Sequence, residues 1–204
     1  MATTRSATKA SASPTTYAHA PSAFTLFWLA VSLPLVIWDC GYVLLRPRTM
    51  AGGDLHWPLY IPYALYGEID HVYGWKAFNA GTGFTGAQGF LNVVETVMYG
   101  YYALVYLRDA VPIAGGTKKV VGRKAAIAVL VAFSAAVMTL SKTILYWLCE
   151  YFGNYANIGH NSLPDLILLW IIPNGAWLIG PTIMIYELGS DLVNNLAGEG
   201  VKRD

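Results

Sequence analysis

The chain has 204 residues, of which 55% are hydrophobic and only 12% charged, about half the charged share of a typical water-soluble domain. Its formal net charge of +1 offers no basic excess for nucleic acid and no acidic excess for a solvating tail, so both classes are set aside. The apolar residues fall in separated blocks of membrane-spanning length, and the fold class expected is all-α: a polytopic four-transmembrane-helix bundle in lipid.

Residues 1–22 are rich in Ser, Thr and Ala, carry Arg5 and Lys9, and lack the apolar core of a signal peptide. They read as a disordered cytoplasmic tail. A transmembrane domain is expected over 23–188, with a cytoplasmic C-terminal tail over 189–204. The first span runs Ala23 to Leu45 and ends at Arg46-Pro47-Arg48; at 1.5 Å per residue it is long enough for a bilayer core of roughly 30 Å. From Thr49 to Gly83 the chain is mixed, with Pro58, Pro62, many aromatics and the cluster Glu68, Asp70 and His71. Aromatics with prolines fit an interfacial belt, and the acidic–His cluster reads as an exposed loop able to transfer protons.

The second span is expected from about Gly86 to Leu107 and the third from about Ala125 to Phe152, with a basic loop between them. The fourth, about Leu163 to Leu188, holds Pro173 and Pro181, which places a kink near Asn174. His160 lies in the short loop before it and reads either as closing a cavity mouth or as capping that helix. Nine Lys and Arg residues fall on the side of the termini and the second connection (Arg5, Lys9, Arg108, Lys118, Lys119, Arg123, Lys124, Lys202, Arg203) against three on the other (Arg46, Arg48, Lys76). Positive-inside bias then puts both termini in the cytoplasm. Cys40 and Cys149 sit inside apolar blocks with no ligand-spaced partner, so neither a disulfide framework nor a metal site is expected.

The informative residues are the polar ones inside the spans, since a charge at mid-bilayer costs about 2.5–3.5 kcal/mol on insertion scales. Gln88, Asn92, Glu95, Tyr99, Tyr102 and Tyr106 follow at steps of three and four and share one helical stripe. Thr139, Lys142, Thr143, Tyr146 and Glu150 do the same on the third span, with Ala132, Ala135 and Ala136 allowing close packing. Asp39 in the first span and Trp170, Asn174 and Trp177 in the fourth complete the set. Lys142 suits a buried carboxylate, either as a structural ion pair with Glu95 or Glu150 or in catalysis; Glu150, near a helix end, can also reach water. The plainer alternative for Asn92, Gln88 and the tyrosines is that they bind helices together, at about 0.6 kcal/mol per contact.

Three of these segments resemble one family. Pro173-Asn174-Gly175-Ala176-Trp177-Leu178-Ile179-Gly180-Pro181 looks like the Asn-x-x-Trp-x-x-x-Pro signature in the last helix of the emopamil-binding proteins, the sterol Δ8–Δ7 isomerases of the EXPERA superfamily. Asn92-Val93-Val94-Glu95-Thr96 resembles that family's Glu-Thr motif, and Thr143 to Glu150 with the Gly159-His160 loop is similar to its third-helix block. The first span departs from the family, with Asp39 but no His–Glu pair, and the family's extra N-terminal span has no counterpart.

The resemblance implies an endoplasmic-reticulum isomerase, working without a cofactor, in which a buried acid protonates an alkene, a carbocation forms, and a base removes a different proton. Glu95 matches the family's acid/base carboxylate, and Asn174 and Trp177 match the residues beside the cation. With Asp39 as the second carboxylate, these four form the expected catalytic set. Lys142, Tyr146, Tyr99, Asn92, Glu150 and Trp170 are expected to bind substrate or tune the acid. The expected partners are a hydrophobic sterol- or terpenoid-like substrate, the bilayer and a second copy of the chain in a homodimer. Two other classes compete: a non-catalytic sterol or amphiphilic-amine binder resembling the sigma-2 receptor, and a transporter or assembly subunit in which the Glu95–Lys142 pair is purely structural.

Overall fold

The computed structural model describes residues 16–113 and 117–197. Four long helical stretches run antiparallel: α1 (Ala23–Leu44), α4 (Phe84–Asp109), α5 (Gly122–Phe152) and a last stretch made of α6 (Leu163–Asp165), a π-helical run (Leu166–Ile171) and α7 (Ile172–Leu196). Two short helices, α2 (Pro62–Ile69) and α3 (Trp75–Asn79), occupy the connection after α1. In order round the bundle α1 packs on α4, α4 on α5, and α5 on α7.

Ser22 starts α1 by accepting the Thr25 N–H at 3.0 Å on its hydroxyl, which satisfies one of the donors a helix start leaves unpaired. The α1–α4 contact depends on Gly89, where a Cβ would come within 2.8 Å of Val43 Cγ1. On α5 the small residues Ala132, Ala135 and Ala136 are fully buried, so backbones approach closely, as in membrane bundles that lack a hydrophobic drive between helices.

Among the described residues three segments, Ala23–Leu44, Gly122–Phe152 and Leu163–Leu196, are long and apolar enough to cross a membrane. The expected second span is helical over 26 residues but is not among them. Gln88, Asn92 and Glu95, the stripe read from the sequence, lower its hydropathy.

Three further expectations are corrected. Part of the segment expected to be a disordered tail is ordered: Ala18–His19 form a strand, β1, pairing antiparallel with β3 (Lys118–Val121), which also pairs with β2 (Val111–Pro112). Of that tail, residues 1–15 lie outside the described residues. The segment is held by side chains as well as by the sheet. His19 Nδ1 lies 2.5 Å from Asp191 and its Nε2 lies 2.7 Å from the Tyr102 hydroxyl, while Ser22 and Thr25 both donate to Glu187. The C-terminal boundary also moves, because α7 continues to Leu196 rather than stopping at 188. The irregularity expected near Asn174 falls one turn earlier, in the π-helical run Leu166–Ile171. Pro173 has no N–H and its ring crowds the carbonyl of the preceding turn, so that turn widens.

Near the sheet end α1 and α7 meet edge to face through Trp28 and Trp177, with ring centroids 5.5 Å apart. Gly180 makes this possible, because a Cβ there would run into the body of the Trp28 indole. Gly180→Val should destabilise the protein by about 1–3 kcal/mol, the usual effect of overpacking; thermal unfolding of the purified variant measures it, and an unchanged midpoint would show that the contact is unimportant.

Candidate functional site

At the end of the bundle away from the sheet, the helices line an open-mouthed cavity of about 460 Å³, within the range of sites that bind drug-sized ligands. Leu35, Trp38 and Asp39 reach it from α1, Tyr63, Leu65 and Tyr66 from α2, and Tyr73 from the turn that follows. Gln88 and Asn92 come from α4, Lys142, Thr143 and Tyr146 from α5, and Leu169, Pro173, Asn174 and Trp177 from the last stretch.

The polar part of the wall is one connected network. The Tyr63 hydroxyl donates to Asp39 Oδ1 at 2.8 Å, and Asn92 Nδ2 donates to Asp39 Oδ2 at 3.3 Å. On its other side, Asn92 Oδ1 accepts from Lys142 Nζ. Lys142 also donates to both oxygens of Glu95, at 2.9 and 2.8 Å. Behind them Thr139 donates to Glu95 Oε2 at 2.8 Å, and the Tyr99 hydroxyl lies 3.3 Å from Thr139. Burial first, and then the neighbouring Asp39 carboxylate, raise the Tyr63 phenol above its ordinary value, so Tyr63 remains a donor. With all three groups ionised, Asp39, Glu95 and Lys142 carry two negative charges against one positive. The unmatched carboxylate must bind a proton or face a cation in the cavity.

The expected site residues divide accordingly. Asp39, Asn92, Lys142, Tyr146, Asn174 and Trp177 line the cavity. Glu95 does not: it is 4% exposed and both its oxygens face Lys142. Tyr99 stands behind Glu95. Trp170, also buried behind the wall, donates its indole N–H to Asp70 Oδ2 at 2.8 Å and to the Tyr146 hydroxyl oxygen at 3.2 Å. Glu150 is elsewhere, accepting from the backbone and side-chain N–H groups of Asn157. It fixes the 153–162 loop and neither reaches water nor pairs with Lys142.

Sequence reasoning did not pick out Tyr63, Tyr66 and Tyr73. The one signal was Tyr63 and Tyr66 at a spacing of three just after Pro62, which is where a helix start is favoured. Tyr63 and Tyr73 pack against Tyr42, with Tyr63 and Tyr42 stacking at 3.8 Å, and Tyr66 packs on Tyr63 and Tyr73.

The cluster read as an exposed loop is only partly one. Glu68 is exposed, and the His71 and His160 rings stack at 4.0 Å, with His160 Nε2 2.7 Å from the Glu68 carbonyl oxygen. That contact places His160 on the loop, while Ser162 caps the last helical stretch. Asp70, however, is fully buried. Burial pushes its carboxyl up to about 7, against the hydrogen bonds from Trp170 and the Val72 N–H that pull it down. A folded-state value above the unfolded one means that the folded protein holds the extra proton. Its contribution to stability is therefore greatest below about pH 4 and declines as pH rises towards 7. Asp70→Asn should remove that share of the decline, which thermal unfolding of wild type and variant at about pH 5 and about pH 7.5 would show. Parallel pH profiles for the two proteins would rule Asp70 out as the titrating group.

Cys40 is buried against the Gly89 carbonyl and Cys149 is exposed, both as free thiols. Among the described residues no cluster of three or more His, Cys, Asp or Glu side chains could hold a metal ion. No protein-family model, curated protein or solved structure matches this chain.

Proposed function

We propose that this chain is a membrane enzyme that isomerises or cyclises a sterol- or terpenoid-like lipid by adding a proton to an alkene and removing one from a neighbouring carbon. The observation that carries the reading is an unmatched carboxylate, Asp39, in the wall of a cavity otherwise made mainly of aromatic and aliphatic side chains. In its protonated form Asp39 delivers the proton, a new C–H bond forms, and the positive charge is left on carbon. The faces of Trp38 and Trp177 stabilise that charge, and bound substrate filling the mainly apolar cavity keeps water from capturing it. Loss of a proton from the adjacent carbon restores a double bond and returns a proton to the Asp39 carboxylate, so the cycle balances without oxidation or reduction. Glu95 acts through Lys142, which holds a fixed positive charge beside Asp39.

The reading includes a fourth span. The outward face of α4 is apolar, with Phe90, Val97, Leu104 and Leu107 exposed, while its polar stripe turns inward, an arrangement suited to lipid outside and a polar interior. It also places the protein in the endoplasmic reticulum, with both termini in the cytoplasm and an EXPERA-like bundle. The resemblance of the Asn174–Trp177–Pro181 segment supports this, as does the meeting of residues 16–22 with the end of α7 at the basic sheet end.

The test is to incubate the purified protein with lipid extracts of cells that lack it, in heavy water. Enzyme-dependent products carrying one deuterium on carbon are expected, because the carboxyl proton of Asp39 exchanges with solvent when product leaves the cavity, and products without deuterium would overturn the protonation step. The same unmatched carboxylate among aromatic rings also favours a second reading, a binder of amphiphilic amines. That reading predicts saturable amine binding with no enzyme-dependent product.

A further inference from the structure

A second polar feature of the cavity plays no part in the proton chemistry. The Tyr146 hydroxyl oxygen accepts the Trp170 indole N–H at 3.2 Å, and the Tyr66 hydroxyl oxygen accepts from Asn174 Nδ2, also at 3.2 Å. Trp170 and Asn174 are one turn apart and joined, since Asn174 Nδ2 also donates to the Trp170 carbonyl at 2.9 Å. Trp170 is in turn fixed by the buried Asp70. Each phenol therefore receives a hydrogen bond that orients its oxygen, and among the described residues neither finds an acceptor for its own O–H. Tyr63 is different, because its O–H is committed to Asp39. Both free O–H groups belong to side chains that line the cavity, and Tyr146 is only 5% exposed. Burial, followed by the Asp70 carboxylate, raises the Tyr66 phenol, which keeps its proton in place.

A donor turned into a mainly apolar cavity without an acceptor is costly, so a site that presents two of them is complementary to an oxygen brought in by a ligand. We propose that Tyr66 and Tyr146 bind a hydroxyl or carbonyl oxygen of the substrate, which makes the substrate an oxygenated lipid rather than a pure hydrocarbon. This rests on the cavity being the substrate site. The phenols are specificity residues: they hold the oxygenated end of the molecule and leave the reacting carbons to Asp39. A site built to hydrogen-bond an oxygen rejects the analogue that lacks it far more strongly than an apolar pocket rejects a missing methylene.

The test uses matched probes with the purified full-length protein: cholesterol against cholest-5-ene, and phytol against its deoxy hydrocarbon phyt-2-ene. At least one alcohol should bind about tenfold or more tightly than its hydrocarbon, and the preference should fall to about twofold or less in Tyr66→Phe/Tyr146→Phe through weaker alcohol binding. Tyr66→Phe and Tyr146→Phe, measured singly, should each remove part of the preference, and they carry the test if the double variant does not fold. Equal binding of alcohols and hydrocarbons, no binding of any probe, or a preference that survives removal of the phenols would overturn the proposal. Failure here and failure of the catalytic reading are distinguishable. An oxygen-blind cavity that still places deuterium in products sinks only this inference, whereas phenol-dependent alcohol binding without deuterium incorporation sinks only the proton chemistry.

Discussion

Asp39→Asn is expected to lower turnover by about 10²- to 10⁴-fold, the usual contribution of a positioned general acid or base. The substitution keeps the shape of the side chain and its carbonyl oxygen can still accept the Tyr63 hydroxyl that now bonds to Oδ1, so only the long bond from Asn92 to Oδ2 is lost. Folding and ligand binding should therefore survive while the proton carrier is lost. Product formation and deuterium incorporation in heavy water measure the effect, with probe binding as the control for an intact cavity. Turnover within about threefold of wild type would remove Asp39 from the chemistry. Glu95→Gln is the informative contrast. Because Glu95 reaches the cavity only through Lys142, its loss alters the charge beside Asp39 and should lower the rate less than loss of Asp39.

The largest effect on stability is expected from Lys142→Met, which leaves the Glu95 carboxylate buried with no counter-ion. Breaking one side of a buried pair costs about 3–5 kcal/mol, whereas replacing both partners by uncharged groups of similar size is often close to neutral. The pair fits that case: the side chains are 11% and 5% exposed and their closest atoms lie 2.8 Å apart. Thermal unfolding of Lys142→Met, Glu95→Gln and the double variant measures the coupling. The double variant should recover most of the stability lost in Lys142→Met. A Lys142→Met protein as stable as wild type would mean that Glu95 is already neutral in the folded protein, and the charge inventory of the cavity would have to be redrawn.

Much of the molecule was legible in the order of its residues. Helical blocks at 23, 86, 125 and 163 were visible because runs of apolar residues of membrane length are a local property of the chain. The inner faces were visible for the same reason: a 3.6-residue repeat fixes which side chains share a stripe, and Glu95, Tyr99 and Tyr102 on α4 and Thr139, Thr143 and Tyr146 on α5 are indeed buried. Local rules also misled where the polarity of a stripe and its exposure disagree. The polar face of α4 depresses its hydropathy although it turns inward. Composition alone does not reveal that Tyr63 and Tyr66, in the aromatic segment after Pro58, also line the cavity.

The sequence by itself thus determined the helices and the face each of them turns inward, because periodicity depends only on neighbours in the chain. Only the tertiary structure decided which charges meet. Lys142 takes Glu95 across 47 residues of sequence and leaves Glu150 to a loop, and Asn92 ties the pair to Asp39 across 53. Such pairings depend on distances between side chains on different helices, which no spacing within one helix encodes. They leave Asp39, rather than Glu95, in the cavity wall.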